Sequence, residues 1–508
     1  MWGYADVGAD IYAALGIVVA ASMGLAPLAF AMAGGVYVLI GLAYTELASS
    51  YPVAGGGQYY TARGLGDFWG FIAGSALLLD YTVDIALFAA ASAGYVNFFI
   101  PAFREYSIAI GPLRHLNPIW AAESVLLIVF LVWLNIRGIR ESSLFNEVVG
   151  AIDMLTESCV IVLGFLFAWK SDLLVHQFTT QQPTFSQFMY GSSLAIISYV
   201  GLESISQAAQ ETRRPATIIP RTSLTLIFSV LLFAMAFSTL GIGMLPWQVI
   251  AQHQGDPVAL LAHNIPLVGV IAGPFAAILG GTILLISANT GVMGSSRLTF
   301  SMAELGLASK WMDVVHPKYR TPHRTIILFS AMAIIEAILS FLTPQALDTL
   351  GNMYAFGATL AYLLVFVSLV RLRFADPVTP RPYRVPLNLR WRRGEEVVEI
   401  PVLGILGIAG VSLILFEVIL THTIGRIAGP SWVILCLAYY VWYRRQQGYP
   451  ILGSIERHWE ADQMAILESA EEYELLEEYK FAIAARNRAR LKHRGAETAS
   501  GPRPATGS

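Results

Sequence analysis

From its first residues to about Tyr443 the chain alternates long apolar runs with short polar links. Stretches such as 121–136 (AAESVLLIVFLVWLNI) and 222–245 (TSLTLIFSVLLFAMAFSTLGIGML) are too long and too unbroken to be soluble-core strands. Runs of this length match the roughly 20 residues that cross a bilayer as a helix. In hydrocarbon every peptide group must pair within its own segment, so the runs are read as helices. The pattern predicts twelve spans, at 5–22, 25–49, 68–100, 119–136, 145–169, 187–210, 222–245, 265–300, 324–342, 347–370, 401–420 and 429–443. The fold class expected is therefore an all-α, multi-pass integral membrane protein.

The links carry the orientation. With the N-terminus inside, the inner loops hold Arg63, Arg137, Arg140, Arg213, Arg214, Arg221, Lys310, Lys318, Arg320, Arg324 and a run from Arg371 to Arg393. The outer loops hold only Arg104, Arg114, Lys170 and Arg426. Positive charge accumulates on the cytoplasmic side of membrane proteins, so both termini are expected in the cytoplasm, most simply of a cell (plasma) membrane protein. Beyond the last span, 451–492 reads as a helix that is acidic first (Glu471, Glu472, Glu474, Glu477, Glu478) and basic later (Arg486, Arg488, Arg490, Lys492). The expected domains are a transmembrane domain 1–445, a cytoplasmic helical region 446–492 and a disordered tail 493–508, rich in Gly, Pro, Ser and Thr. The charge pattern marks the helix as solvated, with a regulatory contact as the alternative.

Composition agrees. Charged residues make up 13% of the chain, about half the share usual in soluble domains. A net charge of −3 gives no basic surface for nucleic acid. The two cysteines, Cys159 and Cys436, both fall within spans, so a disulfide framework is not expected. No basic stretch or small-residue cleavage site precedes the first span, which is expected to be retained.

Three features carry chemistry. Spans 1 and 6 are interrupted near their middles, by Gly8-Ala9-Asp10 and by Tyr199-Val200-Gly201-Leu202-Glu203. Each opens a block of five spans, and paired interruptions point to an inverted-repeat transporter whose half-helix ends face a solute at mid-membrane. Only seven residues precede the first interruption, so either that half-helix is short or the sequence starts too late. Acidic residues also lie within spans: Asp6, Asp10, Asp80, Asp84, Asp153, Glu157 and Glu203. Each is costly against lipid and must face protein, water or an ion. Asp80/Asp84 and Asp153/Glu157 are four apart, which places each pair on one helix face. With no lysine or arginine deep enough to neutralise them, they favour a bound cation, a proton or a cationic group on the solute. Finally, span 8 contains Ser287-Ala288-Asn289-Thr290-Gly291, whose oxygens suit a small cation or, equally, close helix packing. Gly64-Leu65-Gly66-Asp67 matches the GxGD signature of intramembrane aspartyl proteases, but it sits in a link and lacks the partner Tyr-Asp in an earlier span. No phosphate-binding loop occurs, so ATP-driven transport is not expected.

These residues resemble the amino acid–polyamine–organocation superfamily over about 5–445. Gly8-Ala9-Asp10-Ile11-Tyr12 is similar to its span-1 signature. Tyr44-Thr45-Glu46-Leu47-Ala48-Ser49 with Tyr51-Pro52 resembles its span-2 end, and Leu79-Asp80-Tyr81-Thr82 its span 3. Asn135-Ile136-Arg137-Gly138, Gly201-Leu202-Glu203-Ser204, Glu211-Thr212-Arg213-Arg214-Pro215 and Ser296-Arg297 follow in family order. The resemblance implies a five-plus-five inverted repeat (the leucine-transporter-like fold) with two peripheral helices, working by alternating access. It implies that Gly8, Ala9, Asp10, Tyr199, Val200 and Gly201 bind the solute, with Tyr199 as an aromatic lid or as a packed bundle residue. Two departures stand out: the second glycine of the span-1 signature is Asp10, and Asp153 takes the place where many proton-coupled members carry lysine.

The function expected is secondary active transport, not catalysis, of an amino acid or related amine or polyamine. Asp10 and Asp80 would face the solute cation, Glu203 would act as a protonation switch, and Asp153, Ser287 and Asn289 would form the coupling site. No cofactor is called for, and the coupling ion would be H⁺ or Na⁺. The rival readings are an uptake permease for potassium or another inorganic cation on the same fold, and a non-transporting sensor or scaffold.

Overall fold

The computed structural model describes residues 8–110, 113–138, 142–207, 209, 212–343, 345–393 and 396–499. Asp6, Arg140 and Glu211 lie outside them. The principal helices are α1 (Asp10–Ser22), α2 (Ala26–Ser50), α3 (Gly56–Leu65), α4 (Asp67–Val96), α5 (Pro118–Arg137), α6 (Ser142–Phe167), α7 (Phe185–Leu194) and α8 (Leu202–Gln207). They continue with α9 (Pro215–Met244), α10 (Gly269–Glu304), α11 (His323–Ser340), α12 (Ala346–Ala375), α13 (Val402–Thr421), α14 (Gly425–Gln446), α15 (Trp459–Ser469) and α16 (Tyr473–Ala499). Among the described residues strand is confined to two antiparallel hairpins in links, Ile108–Ile110 with Leu113–Leu116 and Asn388–Arg393 with Glu396–Pro401.

Among the described residues nine helical stretches are long and apolar enough to cross a membrane. One of them, Asp10–Ser50, holds both α1 and α2, because the chain turns through Met23–Leu25 with Met23 at φ 50°. The protein is thus an all-helical, multi-pass membrane protein. The expected segments near 187–210 and 429–443 are α7–α8 and α14, which fall outside that count; the first is broken into short pieces. The last helix runs to Ala499, seven residues into the stretch expected to be disordered. His493 to Ala499 contains no proline, and its Ala, Arg and Glu favour continuation of a helix already begun.

Packing divides the bundle. The helices α2 and α9 lie along each other, and α4 packs along α10 and α12. Neither α2 nor α9 packs extensively on α4 or α10. Between these two sets run α1, which contacts α7 and the turn after it, and the short α8. A set of polar side chains closes one end of the bundle, called here the Asp67 end. There Glu46, at the end of α2, takes both arms of Arg373 (2.7 and 2.6 Å) and the Val385 N–H (2.8 Å).

Candidate functional site

The break in the sixth segment is a built feature. Thr184 and Gln187 form a reciprocal capping box that starts α7. The helix tightens into a 3₁₀ turn over Ala195–Tyr199, then Val200 is extended and Gly201 takes φ +105°, a conformation that strains any side-chain-bearing residue. Helix α8 starts at Leu202, so the peptide groups around Val200 and Gly201 are outside regular helix. At the first expected break, whose preceding residues 1–7 lie outside the described ones, Gly8 and Ala9 form a turn and α1 starts at Asp10.

Carboxyl groups from three helices surround these breaks. Glu203 accepts from the Tyr362 hydroxyl at 2.9 Å and from the Gly201 N–H at 3.3 Å. The Asp80 carboxyl of α4 lies within hydrogen-bonding reach of Glu203. One turn along α4, Asp84 accepts from the Tyr354 hydroxyl at 3.1 Å. A Cβ on Gly291 would stand 2.7 Å from Asp84, so α10 closes on it. The Tyr354 hydroxyl is within electrostatic reach of Asp84, Asp80, Asp10 and Glu203, and the region these side chains share is called here the acidic chamber. All four carboxylates are at most 6% exposed, so none faces lipid. Two carboxyls in contact repel when both are ionised, so Glu203 and Asp80 together favour one shared proton or a bound cation. Among the described residues no three His, Cys, Asp or Glu side chains converge as a metal cluster.

The structure places Asp80 and Gly201 against Glu203, with Asp10 in electrostatic reach of the same region, and sets Tyr199, Asp153 and Asn289 among other neighbours. Tyr199 stacks on Tyr37 at 4.9 Å and donates to the Phe30 carbonyl at 2.9 Å, so it is packed against α2 instead of lying over the breaks. Asp153 of α6 accepts from the Tyr12 hydroxyl of α1 at 2.7 Å, while its second oxygen is buried without a partner. Ser287 and Asn289 do not share a face, since two residues turn about 200° around a helix. Asn289 accepts from Asn135 at 2.6 Å and lines a cavity of about 210 Å³ with Arg297, Gly138 and Thr321. That cavity lies between α5, α10 and α11, so the three-residue coupling site read from sequence is not assembled as one cluster.

Two ligating residues escaped the sequence reading. Tyr354 and Tyr362 are eight apart on α12 and so share a face. That spacing was the available signal, but tyrosine in an apolar span reads first as packing. Glu336 of α11, which accepts from Thr82 at 3.1 Å, was a lone acid in its span and readable as such. Thr82 is two positions from both Asp80 and Asp84, which places Glu336 on the far side of α4 from the chamber.

A polytopic membrane bundle with an interrupted helix and buried acidic side chains beside the break has the build of a transport protein, not an enzyme. Residues 5–442 match the family model described as amino acid permease, and the chain belongs to that family. It is 27% identical to the branched-chain amino acid permease BcaP of Bacillus subtilis, over 75% of this chain and 81% of that one. It is 25% identical to the methylthioribose transporter of the same organism, over 75% and 80%. To the cationic amino acid transporter 4 of Mus musculus it is 27% identical, over 74% of this chain and 58% of that longer one.

Proposed function

We propose that this chain is a secondary transporter of amino acids, with those bearing a cationic side chain preferred. The observation that carries the reading is the acidic chamber at Tyr354, whose hydroxyl donates to Asp84 and lies within electrostatic reach of Asp80, Asp10 and Glu203. An α-amino group needs one carboxylate partner, and a second ammonium or guanidinium can use another. The names of relatives, which include cationic amino acid transporters, support the same choice. Peptide groups around Gly8, Ala9, Val200 and Gly201, which lie outside regular helix, would take the solute carboxylate.

The transport cycle would be alternating access by a five-plus-five repeat of twelve spans, with the Asp67 end in the cytoplasm of a plasma-membrane protein. Glu203 would exchange a proton as the chamber opens and closes, since desolvation favours the neutral acid and hydration the carboxylate. Asp153, against Tyr12 of the moving first helix, would sense the same step for H⁺ or Na⁺. The test is uptake of labelled lysine, arginine, leucine and rubidium into proteoliposomes under imposed H⁺ or Na⁺ gradients. Lysine or arginine uptake in excess of leucine is expected. Rubidium uptake without amino acid uptake would establish the inorganic-cation reading instead.

A further inference from the structure

After α14 the chain doubles back across the Asp67 end. Asp67 opens α4 with a fully buried carboxylate. It takes Arg444 at 3.1 Å, Arg457, and the Ile455 N–H at 2.9 Å. Its own N–H donates to Ser454 at 3.2 Å. Arg457 also donates to the Leu305 carbonyl, just past the end of α10. Residues 454–457 are thereby fastened to the α4/α10 pair.

The same chain then reaches the other pair. Gln463 of α15, fully buried, donates to the Ser50 carbonyl at the end of α2 at 2.9 Å and accepts from Arg63 at 3.0 Å. Past α15, the Ala470 carbonyl accepts from the Arg214 N–H at 3.3 Å. Glu472 accepts from the Ala216 N–H at 3.0 Å, capping the first turn of α9. Glu471 pairs with Arg213 at 2.9 Å. One continuous segment therefore crosses the seam between helix pairs that barely pack on each other.

We propose that residues 454–472 are a strap that closes the transport pathway at this end, and that opening there requires the strap to leave α9 and α2 while staying on α4 and α10. This rests on the transporter reading above. The two legs differ in kind. The α4 leg is a buried carboxylate with charge-assisted bonds from two arginines, whose separation would strand a charge away from water. The α9 leg joins an exposed pair (Arg213 81% and Glu471 46% exposed) and neutral peptide groups, and the α2 contact is the buried but uncharged amide of Gln463. Exposed pairs of that sort add little, so the α9 leg is the one that lets go.

The test uses the full-length chain in a Cys159→Ala/Cys436→Ala background with a Ser206→Cys reporter. Ser206 is fully buried and packed against Gly56, at the start of α3, whose Arg63 bonds Gln463 of the strap. Maleimide is applied from the Asp67 side of reconstituted vesicles. Releasing the weak leg with Gln463→Leu and Glu472→Gln is expected to raise the modification rate several-fold, while Lys480→Gln, in an exposed pair on α16, leaves it unchanged. An unchanged rate in a released variant that melts like the parent overturns the strap. Should the released variant not fold, the pair Ala216→Cys/Glu472→Cys, without the reporter, is joined by a bifunctional thiosulfonate. The joined protein is expected to lose uptake and regain it on reduction, and uptake unaffected by joining overturns the proposal. The reporter needs no solute. A parent that carries no amino acid but whose reporter still answers strap release removes the transport reading and leaves the strap standing.

Discussion

The Tyr12 hydroxyl of α1 donates to Asp153 of α6 at 2.7 Å, which ties the first described helix to the fifth segment through one buried bond. Asp153→Asn keeps the acceptor oxygen but removes the charge. It is expected to abolish the response of uptake to the driving ion before it weakens solute binding. Tyr12→Phe leaves the buried carboxyl without its donor, at a cost of about 1–3 kcal/mol. Ion-gradient uptake assays and thermal melts of the two variants separate these effects. An ion response that survives Asp153→Asn places the coupling step elsewhere.

Glu203→Gln preserves size and keeps an acceptor for Tyr362 and Gly201, but cannot gain or lose a proton. Uptake is expected to fall by at least about tenfold, which is about 1.4 kcal/mol of barrier, with an unchanged melting temperature. Tyr362→Phe removes one donor and should produce a smaller loss with the same sign. Normal uptake with normal pH dependence in Glu203→Gln would make this residue a structural acid.

Asp84→Asn tests the substrate class. Its carboxylate, held by Tyr354 on one side and pressed by Gly291 on the other, is the farther of the two α4 acids from Glu203. The variant is expected to lose lysine and arginine uptake while retaining neutral amino acids, as read by competition against a labelled substrate. Equal loss for all substrates would assign Asp84 to the shared part of the site.

Arg444→Met leaves Asp67 buried with only Arg457 as counter-charge. Breaking a buried pair by removing one partner costs about 3–5 kcal/mol, whereas Arg444→Met with Asp67→Asn should recover much of it. Detergent melts of the two variants give the comparison. Melts of both variants equal to that of the parent would show that the buried pair does not contribute to stability.

Sidedness is checked with single cysteines at Gln248 and Arg384, both exposed. Impermeant thiol reagents are expected to label the first in intact cells and the second only after the membrane is opened. Reversed labelling would invert the proposed orientation.

What was legible in the sequence was local. The helical break at Val200-Gly201 followed from a glycine inside an apolar run, and the pairing of Asp80 with Asp84 followed from helical spacing. Glu203 could be singled out because a lone carboxylate beside that glycine has few benign explanations. The contacts of Tyr199 were not legible, since a tyrosine at a break serves equally to cover a solute or to stack on Tyr37. Ser287 and Asn289 read as a unit because they are near in sequence, yet helical rotation sends them to different neighbours. The fate of 451–492 was least accessible. Its acids looked solvated because their partners, the peptide N–H of Ala216 and the arginine of an earlier link, leave no mark in the local pattern. Likewise the GxGD match drew notice to Asp67 for a catalytic reason, when its two arginines lie near the far end of the chain.

That last separation bears on how the molecule is made. Arg444 and Arg457 lie 377 and 390 residues beyond Asp67. A ribosome must therefore thread every apolar segment before the carboxylate can be neutralised. Until then the start of α4 carries a charge that prefers the aqueous boundary, which holds that helix near the surface while later ones insert. The emergence of Arg444 and Arg457 releases it. Chains cut short upstream of Arg444 are expected to keep Asp67 hydrated, so the ion pair forms only after α14 has been made.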